Sequence, residues 1–282
     1  MKEPFATKAK TKTGDPFKQR KVPVTLKDSR VHVIRKGVRC ETEQRGYALP
    51  SGKSPLEIVL EASDGFIPLW AKETTLHYRF RDSSFEQFED PDLAKAAVLG
   101  LIGEAILEWG DAPPVKFKRD DGLWDFEIVM RTEDDCNNGG CVLASAFFPD
   151  SGRHQLVIYP MMLTQSKEEQ VETMAHEIGH IFGLRHFFAK VEESNWPSEI
   201  FGVHDKFSIM NYGDDSSMSP HDKTDLKKLY TAVWAGELTE INETPIRVVQ
   251  PFHALKLLAE SGDPLPMAAY VKRRVKLKAA RR

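Results

Sequence analysis

The sequence is poor in cysteine and has no long apolar run, and each absence removes a class of protein. Three cysteines in 282 residues are too few for the disulfide framework of a small secreted domain. No stretch reaches the ~18–20 apolar residues of a membrane span. Cys136 and Cys141 flank the turn-forming run "NNGG". A local bridge between them is therefore geometrically possible, although in a reducing compartment they would stay thiols.

The first residues also lack the apolar core that a secretory signal peptide needs. We therefore expect a protein that acts in the cytoplasm or is exported by a non-classical route.

Charge is distributed unevenly along the chain. Residues 1–40 contain twelve Lys and Arg against three Asp and Glu, and residues 270–282 contain seven Lys and Arg and no acid. Because the whole chain has a net charge of −3, residues 41–269 hold −19. Basic ends can bind nucleic acid or anionic membranes, fold back on the acidic body, or stay solvated. The last two are favoured, since no nucleic-acid module is visible, and we expect a monomer without a nucleic-acid partner.

Apolar residues make up 41% of the chain, which is typical of a globular protein. We predict a flexible basic arm at 1–45, a main domain at 46–236, and an extension with a basic tail at 237–282. Turn signals and periodicity predict an α+β fold. The predicted strands are 75–80, 114–119, 125–131, 140–148 and 154–160. The predicted helices are 90–110, 167–182 and 221–236, and a further strand and short helix fall within 244–258.

The run "HEIGHIFGLRH", from His176 to His186, begins in the second predicted helix and extends past its end. Residues four apart lie on the same face of a helix, so His176 and His180 can point at one object. Neutral imidazole is a common zinc ligand. Glu177 lies about 100° further round the helix, where it could reach a metal-bound water as a general base.

His186 follows too far along the chain to be a ligand on a continuous helix. It would lie about 15 Å from His176 along the axis, whereas a zinc–nitrogen bond is about 2.0–2.1 Å long. Gly183 suits the left-handed position just past a helix end. The pattern therefore predicts a helix, a glycine turn and a third ligand, which leaves a fourth position open for water.

The full pattern H-E-x-x-H-x-x-G-x-x-H resembles the signature of the metzincin clan of zinc endopeptidases. The clan continues with a turn that carries a methionine beneath the metal, and Met210 in "SIMNYG" matches it. Tyr212 resembles the tyrosine that reaches the metal or the reacting carbonyl in astacins and serralysins. The resemblance implies one zinc ion held by His176, His180 and His186, with Glu177 and Tyr212 as catalytic residues.

The resemblance also implies the architecture: a twisted mixed β-sheet, a long backing helix, an active-site helix, and a small C-terminal subdomain with the methionine turn and a final helix. "MSPHDKTDLKKLY" is similar to that final helix in serralysins and matrixins. "GGCVLASAFFP" is similar to the matrixin edge strand to which a peptide substrate adds, which would place substrate along residues 142–148. Met210 would be a packed floor rather than a ligand.

Several further sites remain open. "EDDCNNGG" offers oxygen ligands and matrixins bind calcium near here, but a solvated turn is the favoured alternative. His154, His204, Asp205 and His221 are expected to be surface or packing residues. Cys40 is expected to be a bystander, the alternative being a latch on the zinc of the kind found in matrixin propeptides.

Together these features predict a zinc metalloendopeptidase that acts on a protein or peptide. One rival is a non-catalytic metal-binding or interaction protein on a protease scaffold, although the general base and all three histidines are intact. The other is hydrolysis of a non-peptide amide by the same residues.

Overall fold

The computed structural model describes most of the main domain and parts of both ends. The described residues are 15–19, 38–39, 58–61, 65–137, 140–185, 198–201, 208–210 and 217–261. The strands are β1 (Val38–Arg39), β2 (Ile58–Glu61), β3 (Ile67–Trp70), β4 (Thr75–Phe80), β5 (Lys116–Arg119), β6 (Phe126–Met130), β7 (Asp135–Asn137), β8 (Gly140–Val142), β9 (Ala144–Ser145), β10 (His154–Ile158), β11 (Leu184–Arg185), β12 (Ser198–Phe201), β13 (Glu240–Ile241) and β14 (Thr244–Val249). The helices are α1 (Asp82–Phe85), α2 (Pro91–Glu108), α3 (Lys167–Ile181), α4 (Pro220–Trp234) and α5 (Phe252–Ser261), with a 3-10 helix at Pro160–Thr164.

A five-stranded mixed sheet has the strand order β5–β4–β6–β10–β9. The first four strands are parallel to their neighbours, and β9 is antiparallel to β10 at the edge. The prediction of an α+β fold with a mixed sheet and several helices is therefore confirmed. Its finer division into subdomains stays a prediction.

The first two predicted helices are confirmed as α2 and α3, and they pack against each other. The Asp90 side chain accepts a hydrogen bond from the Leu93 N–H at 3.1 Å, and Pro91 occupies the first helical position, as the sequence predicts. The buried residues of α2 recur at helical spacing and form one face: Ala94, Val98, Leu101 and Ala105. That face and α3 belong to one core with the inward residues of the sheet.

The predicted strand 140–148 is wrong as a single element, because the chain changes sheets at Leu143. β8 pairs with β7 in a hairpin whose opposed residues Cys136 and Cys141 form a disulfide. β9 instead pairs with β10. The Leu143 carbonyl between them accepts the Tyr159 N–H at 2.9 Å. Val142 joins a small second cluster with Val129, Val157 and Tyr159, on the face of the sheet away from the helices.

The last described part of the chain is bound to the main domain, and the predicted strand and short helix in 244–258 are confirmed as β14 and α5. β14 pairs in parallel with β3. The buried Asp125 carboxylate accepts hydrogen bonds from the backbone and the ring Nδ1 of His253, each at 2.8 Å, and from the His77 N–H at 2.7 Å. The domain boundaries predicted after 45 and 236 stay predictions.

Two parts of the arm that we expected to be flexible contact the main domain. The Phe17 and Phe88 rings meet edge to face at 5.9 Å, and the Lys18 carbonyl accepts the Glu89 N–H at 2.8 Å. β1 pairs in parallel with β8, with Arg39 opposite Val142.

A third small sheet has the order β11–β2–β12, so β2 lies between two antiparallel partners.

Among the described helices, none has both the length and the apolar character to cross a membrane.

A buried carboxylate ties β4 to β6 on the outer face of the central sheet. Glu127 is 6% exposed, and each of its carboxylate oxygens accepts two hydrogen bonds from one guanidinium. Oε1 accepts them from Arg79 at 2.8 and 3.0 Å, and Oε2 accepts them from Arg81 at 2.5 and 3.1 Å. Burial alone would raise the pKa of Glu127, but the hydrogen bonds and charges of Arg81 and Arg79 outweigh it and lower that pKa below its ordinary value.

Replacing Glu127 with Gln should lower the free energy of unfolding at pH 7 by about 1–3 kcal/mol, because hydrogen bonds to charged groups are lost. A carboxyl whose pKa is lowered by folding stabilises the protein above its unfolded pKa of about 4.3, and that contribution disappears as the pH falls through the folded pKa. Urea denaturation should therefore show the difference at neutral pH and lose it in acid. Glu133→Gln, at an exposed carboxylate, is the control. A difference between Glu127→Gln and wild type that is independent of pH would contradict this account.

Candidate metal centre

The helix α3 is fixed at its start by a reciprocal capping box. The Ser166 hydroxyl accepts the Glu169 N–H at 3.2 Å, and the Glu169 carboxylate accepts the Ser166 N–H at 2.9 Å. From there the helix runs to Ile181, so His176, Glu177 and His180 lie in its last two turns.

The rings of His176 and His180 converge in the way that their spacing predicts. Their Nε2 atoms lie 3.2 Å apart. Each Nδ1 lies against a backbone carbonyl, that of Ile209 at 2.8 Å for His176 and that of Leu184 at 2.7 Å for His180. Because a carbonyl can only accept, each Nδ1 carries the proton, and the two Nε2 lone pairs face one point.

Glu177 completes a group of three potential ligands. Single ligand atoms of His176, Glu177 and His180 all lie within 4.8 Å of one another. Glu177 is 2% exposed and His180 is fully buried. In the described part of the chain this is the only such group of histidine, cysteine or carboxylate side chains that could hold a metal ion. Two neutral imidazoles with fixed tautomers suit a zinc-like cation.

The helix ends at the glycine that the sequence singles out. Gly183 has a positive φ of 94°, and its N–H donates to the His180 carbonyl at 2.8 Å. A side chain there would also meet the Pro68 carbonyl at 3.3 Å. The chain then turns into β11, which pairs with β2. The predicted helix end and glycine turn are confirmed, whereas His186 lies just outside the described residues and its role as third ligand stays a prediction.

Three aromatic side chains hold the end of α3 from three other parts of the fold. The Trp109 ring N–H donates to the Ala175 carbonyl at 3.0 Å, and the Trp70 ring N–H donates to the Ile181 carbonyl at 2.6 Å. The Tyr230 hydroxyl donates to the Phe182 carbonyl at 2.9 Å. Burial raises the pKa of Tyr230, so the hydroxyl keeps the proton that it donates. The bonds from Trp70 and Tyr230 satisfy carbonyls that a helix end otherwise leaves without partners, and the Trp109 bond adds a second donor within the helix.

Met210 packs against α3 at Gly179, which makes room for it, and its predicted place beneath a metal stays a prediction. A Cβ added at Gly179 would lie 2.4 Å from the Met210 Sδ and 3.1 Å from Cζ2 of Trp109. Met210 is 4% exposed. Sequence reasoning missed Gly179, although its small side chain inside the motif was the available signal. It could not have found the Ile209 and Leu184 carbonyls, because any residue supplies a carbonyl.

The segment predicted to bind substrate reaches the histidines at one end. The Phe148 ring meets the His180 ring edge to face at 5.4 Å. At the other end, Val142 is opposite Arg39 of β1. Part of the predicted substrate edge is therefore paired with the N-terminal arm.

The remaining candidate residues have other surroundings or lie outside the described chain. His154 stacks on the Phe147 ring at 4.6 Å and His221 is exposed, which confirms that they are packing and surface residues. The Asp134 carboxylate accepts the Met161 N–H at 2.7 Å. The solvated turn in "EDDCNNGG", with calcium binding as the alternative, stays a prediction. Besides His186, four predicted residues lie outside the described residues: Cys40, His204, Asp205 and Tyr212.

Comparisons with known proteins find similarity to solved structures. No family model matches the chain, and no curated protein matches it. A solved structure of myroilysin is similar with a TM-score of 0.41 and 14% sequence identity, over 61% of this chain and 98% of that chain. A similarity at this level does not assign the chain to a family.

Replacing Gly179 with Ala should destabilise the protein by about 1–3 kcal/mol, because the new methyl group forces Met210 out of its place. The matched control is Gly103→Ala in α2, where an added Cβ would meet nothing within 4 Å. That change should stabilise the protein by about 0.5–1 kcal/mol, since alanine favours a helix over glycine. Guanidinium denaturation measures both, and equal effects of the two substitutions would contradict the close fit at Gly179.

Proposed function

We propose that the protein is a zinc-dependent metalloendopeptidase. The observation that carries the proposal is the pair of Nε2 atoms 3.2 Å apart, each with its Nδ1 fixed by a carbonyl, beside the buried carboxylate of Glu177. Two converging imidazoles and an adjacent acid are the parts of a hydrolytic zinc centre.

His186 would be the third protein ligand in this proposal. The glycine turn after α3 supports it, because the chain reverses at Gly183 and His186 follows Arg185 at the end of β11. Three nitrogens leave the open coordination position that distinguishes catalytic from structural zinc. Bound zinc would lower the pKa of a water towards ~7 and polarise the carbonyl of the scissile bond.

Glu177 would move the protons. It follows the first ligand directly and is almost fully buried, so its carboxylate is held next to the reacting atoms and shielded from bulk water. It would accept a proton from the attacking water and donate it to the leaving amine. One side chain would then carry out both proton transfers of the hydrolysis.

Tyr212 would stabilise the oxyanion that forms on the carbonyl oxygen, with its hydroxyl as the donor. The support is its place two residues after Met210, which packs against α3 at Gly179, between His176 and His180 in the sequence. Peptide substrate would lie extended along residues 142–148, with Phe148 at the histidine end.

Two alternatives keep the same metal centre. A non-catalytic metal-binding protein would need no general base, whereas Glu177 is present and buried here. Hydrolysis of a non-peptide amide would use the same residues and differ only in the substrate profile. The intact acid beside the histidines favours an enzyme over a binding protein.

The cellular location stays a proposal between the cytoplasm and non-classical export. The Cys136–Cys141 disulfide favours export, because such bonds persist in oxidising compartments. A monomer that binds a protein or peptide remains our expectation. Cys40 stays a predicted bystander, with the latch as the alternative.

The chain should bind one zinc ion, and replacing His176, His180 or His186 with Ala should remove most of it. Elemental analysis after dialysis measures the stoichiometry directly. His221→Ala, at an exposed histidine, is the control and should keep full zinc. Full zinc in His186→Ala would exclude the three-ligand arrangement.

Glu177→Gln should keep the zinc and the fold but lower the rate of peptide hydrolysis by about 10²–10⁴-fold, because the general base is lost while the side chain keeps its shape. Cleavage of casein measures the rate, with a chelator and zinc re-addition as the metal control. The chain should be assayed both intact and without residues 1–45, so that an inhibitory arm is not mistaken for an inactive enzyme. If neither form cleaves casein although zinc is bound, the binding-protein alternative or another amide substrate is correct.

A further inference from the structure

Asp222, in the first turn of α4, is a buried carboxylate that acts only as an acceptor. It is 3% exposed. Its Oδ1 accepts the Ser208 hydroxyl at 2.6 Å, and its Oδ2 accepts the Ile209 N–H at 3.1 Å and the Ser219 N–H at 2.9 Å. The Ser219 bond belongs to the capping box of α4. The other two bonds lead away from the helix, into the segment that carries Met210.

From Asp222 a continuous chain of hydrogen bonds leads to the first histidine of the motif. The Ser208 hydroxyl donates to Asp222 and accepts the Met210 N–H at 3.1 Å. That N–H shares one peptide group with the Ile209 carbonyl, which faces the His176 Nδ1 at 2.8 Å. The chain therefore runs from the carboxylate through the hydroxyl and the peptide to the imidazole, and each group donates towards Asp222.

A chain of this direction has an electrostatic consequence. The negative charge polarises the hydroxyl, the hydroxyl polarises the peptide, and the peptide carbonyl becomes a stronger acceptor for the imidazole N–H. A stronger acceptor at Nδ1 fixes the tautomer and increases the electron density at Nε2. Nε2 is the atom that faces the other histidine.

The two histidines differ in this respect. The His180 Nδ1 faces the Leu184 carbonyl in β11, 2.7 Å away. The chain of hydrogen bonds from Asp222 through Ser208 leads instead to the Ile209 carbonyl and so to His176. Asp222 is also the point where α4 joins the Met210 segment, so it fixes the position of the Ile209 carbonyl as well as its polarity.

We propose that Asp222 is a positioning residue for the metal centre, acting through Ser208 and the Ile209–Met210 peptide to hold His176 in its ligand tautomer. The proposal rests on the proposed function only for the identity of the metal. It assigns a role to two residues, Ser208 and Asp222, that lie outside the H-E-x-x-H run.

The test compares three substitutions around the same carboxylate. Ser208→Ala removes the hydroxyl that links Asp222 to the peptide, and Asp222→Asn keeps the shape but removes the charge. The matched control is Ser219→Ala, which removes the hydroxyl that accepts the Asp222 N–H at 3.1 Å and so weakens the helix cap without touching the chain to His176.

The first readout uses metal-free, full-length protein with ¹⁵N-labelled histidine. We expect the His176 ring nitrogens to show the Nδ1–H tautomer in wild type and in Ser219→Ala. In Ser208→Ala and Asp222→Asn the His176 resonances should shift towards a mixture with the Nε2–H tautomer, while His180 keeps its Nδ1–H tautomer because its acceptor is the Leu184 carbonyl. Unchanged His176 resonances in both variants would overturn the proposal.

The second readout is zinc affinity, measured by competition with a chelating dye. Loss of groups that support a metal ligand typically weakens binding about 10–100-fold. We expect this loss in Asp222→Asn, a smaller loss in Ser208→Ala and none in Ser219→Ala. Equal weakening in Ser219→Ala would show a general effect of the helix cap and contradict a positioning role.

The two readouts separate this proposal from the proposed function. If wild-type protein binds no zinc, the proposed function is wrong, and the tautomer measurement alone decides the role of Asp222. If Asp222→Asn does not fold, Ser208→Ala and its control decide it, because they change one hydroxyl each. If zinc binds but the His176 tautomer is the same in all variants, the proposed function stands and the positioning role of Asp222 is excluded.

Discussion

The structure depends on the hydrogen bonds that hold the C-terminal end of α3. Trp70 from β3, Trp109 from the end of α2 and Tyr230 from α4 each donate to a carbonyl between Ala175 and Phe182. A large aromatic ring places its polar group at the helix end and packs its apolar surface between the helix and the neighbouring element. Each of these hydrogen bonds is therefore also a packing contact. The helix that carries the two histidines is therefore fixed in position. The 3.2 Å distance between their Nε2 atoms follows from the placement of this helix.

Buried carboxylates join the remaining elements in the same manner. Asp125 connects the start of β6 to β4 and α5, Glu127 connects β6 to β4, and Asp222 connects α4 to the Met210 segment. Each accepts several donors, which compensates the cost of removing the charge from water. Because such a group tolerates few alternative arrangements, it fixes the relative placement of elements that apolar contacts alone would leave adjustable.

The sequence predicted what local rules determine. Helical spacing predicted the convergence of His176 and His180, Asp90 predicted the start of α2, and Gly183 predicted the end of α3. The change of sheet at Leu143 was missed. The apolar run 140–148 has the same sequence pattern whether it forms one strand in one sheet or two strands in different sheets. The acceptors for the two histidines were missed for a similar reason: they are backbone groups brought near by tertiary packing. The third ligand and the tyrosine remain predictions from the motif alone.

The small sheet β11–β2–β12 has a consequence for the connection that contains His186. β11 ends at Arg185 on one side of β2, and β12 begins at Ser198 on the other side. Neighbouring strands are about 4.8 Å apart, and the two residues are also offset by two positions along β2, so their Cα atoms are about 12 Å apart. β2 thus fixes both ends of the twelve-residue connection 186–197, and a connection with fixed ends has fewer conformations to lose when one of its side chains is bound in place. β2 comes from the N-terminal side of the chain and pairs with Leu184, whose carbonyl faces the His180 Nδ1. Cleavage of that side by a protease past residue 57 would therefore free the ends of this connection and the strand that holds the acceptor of His180.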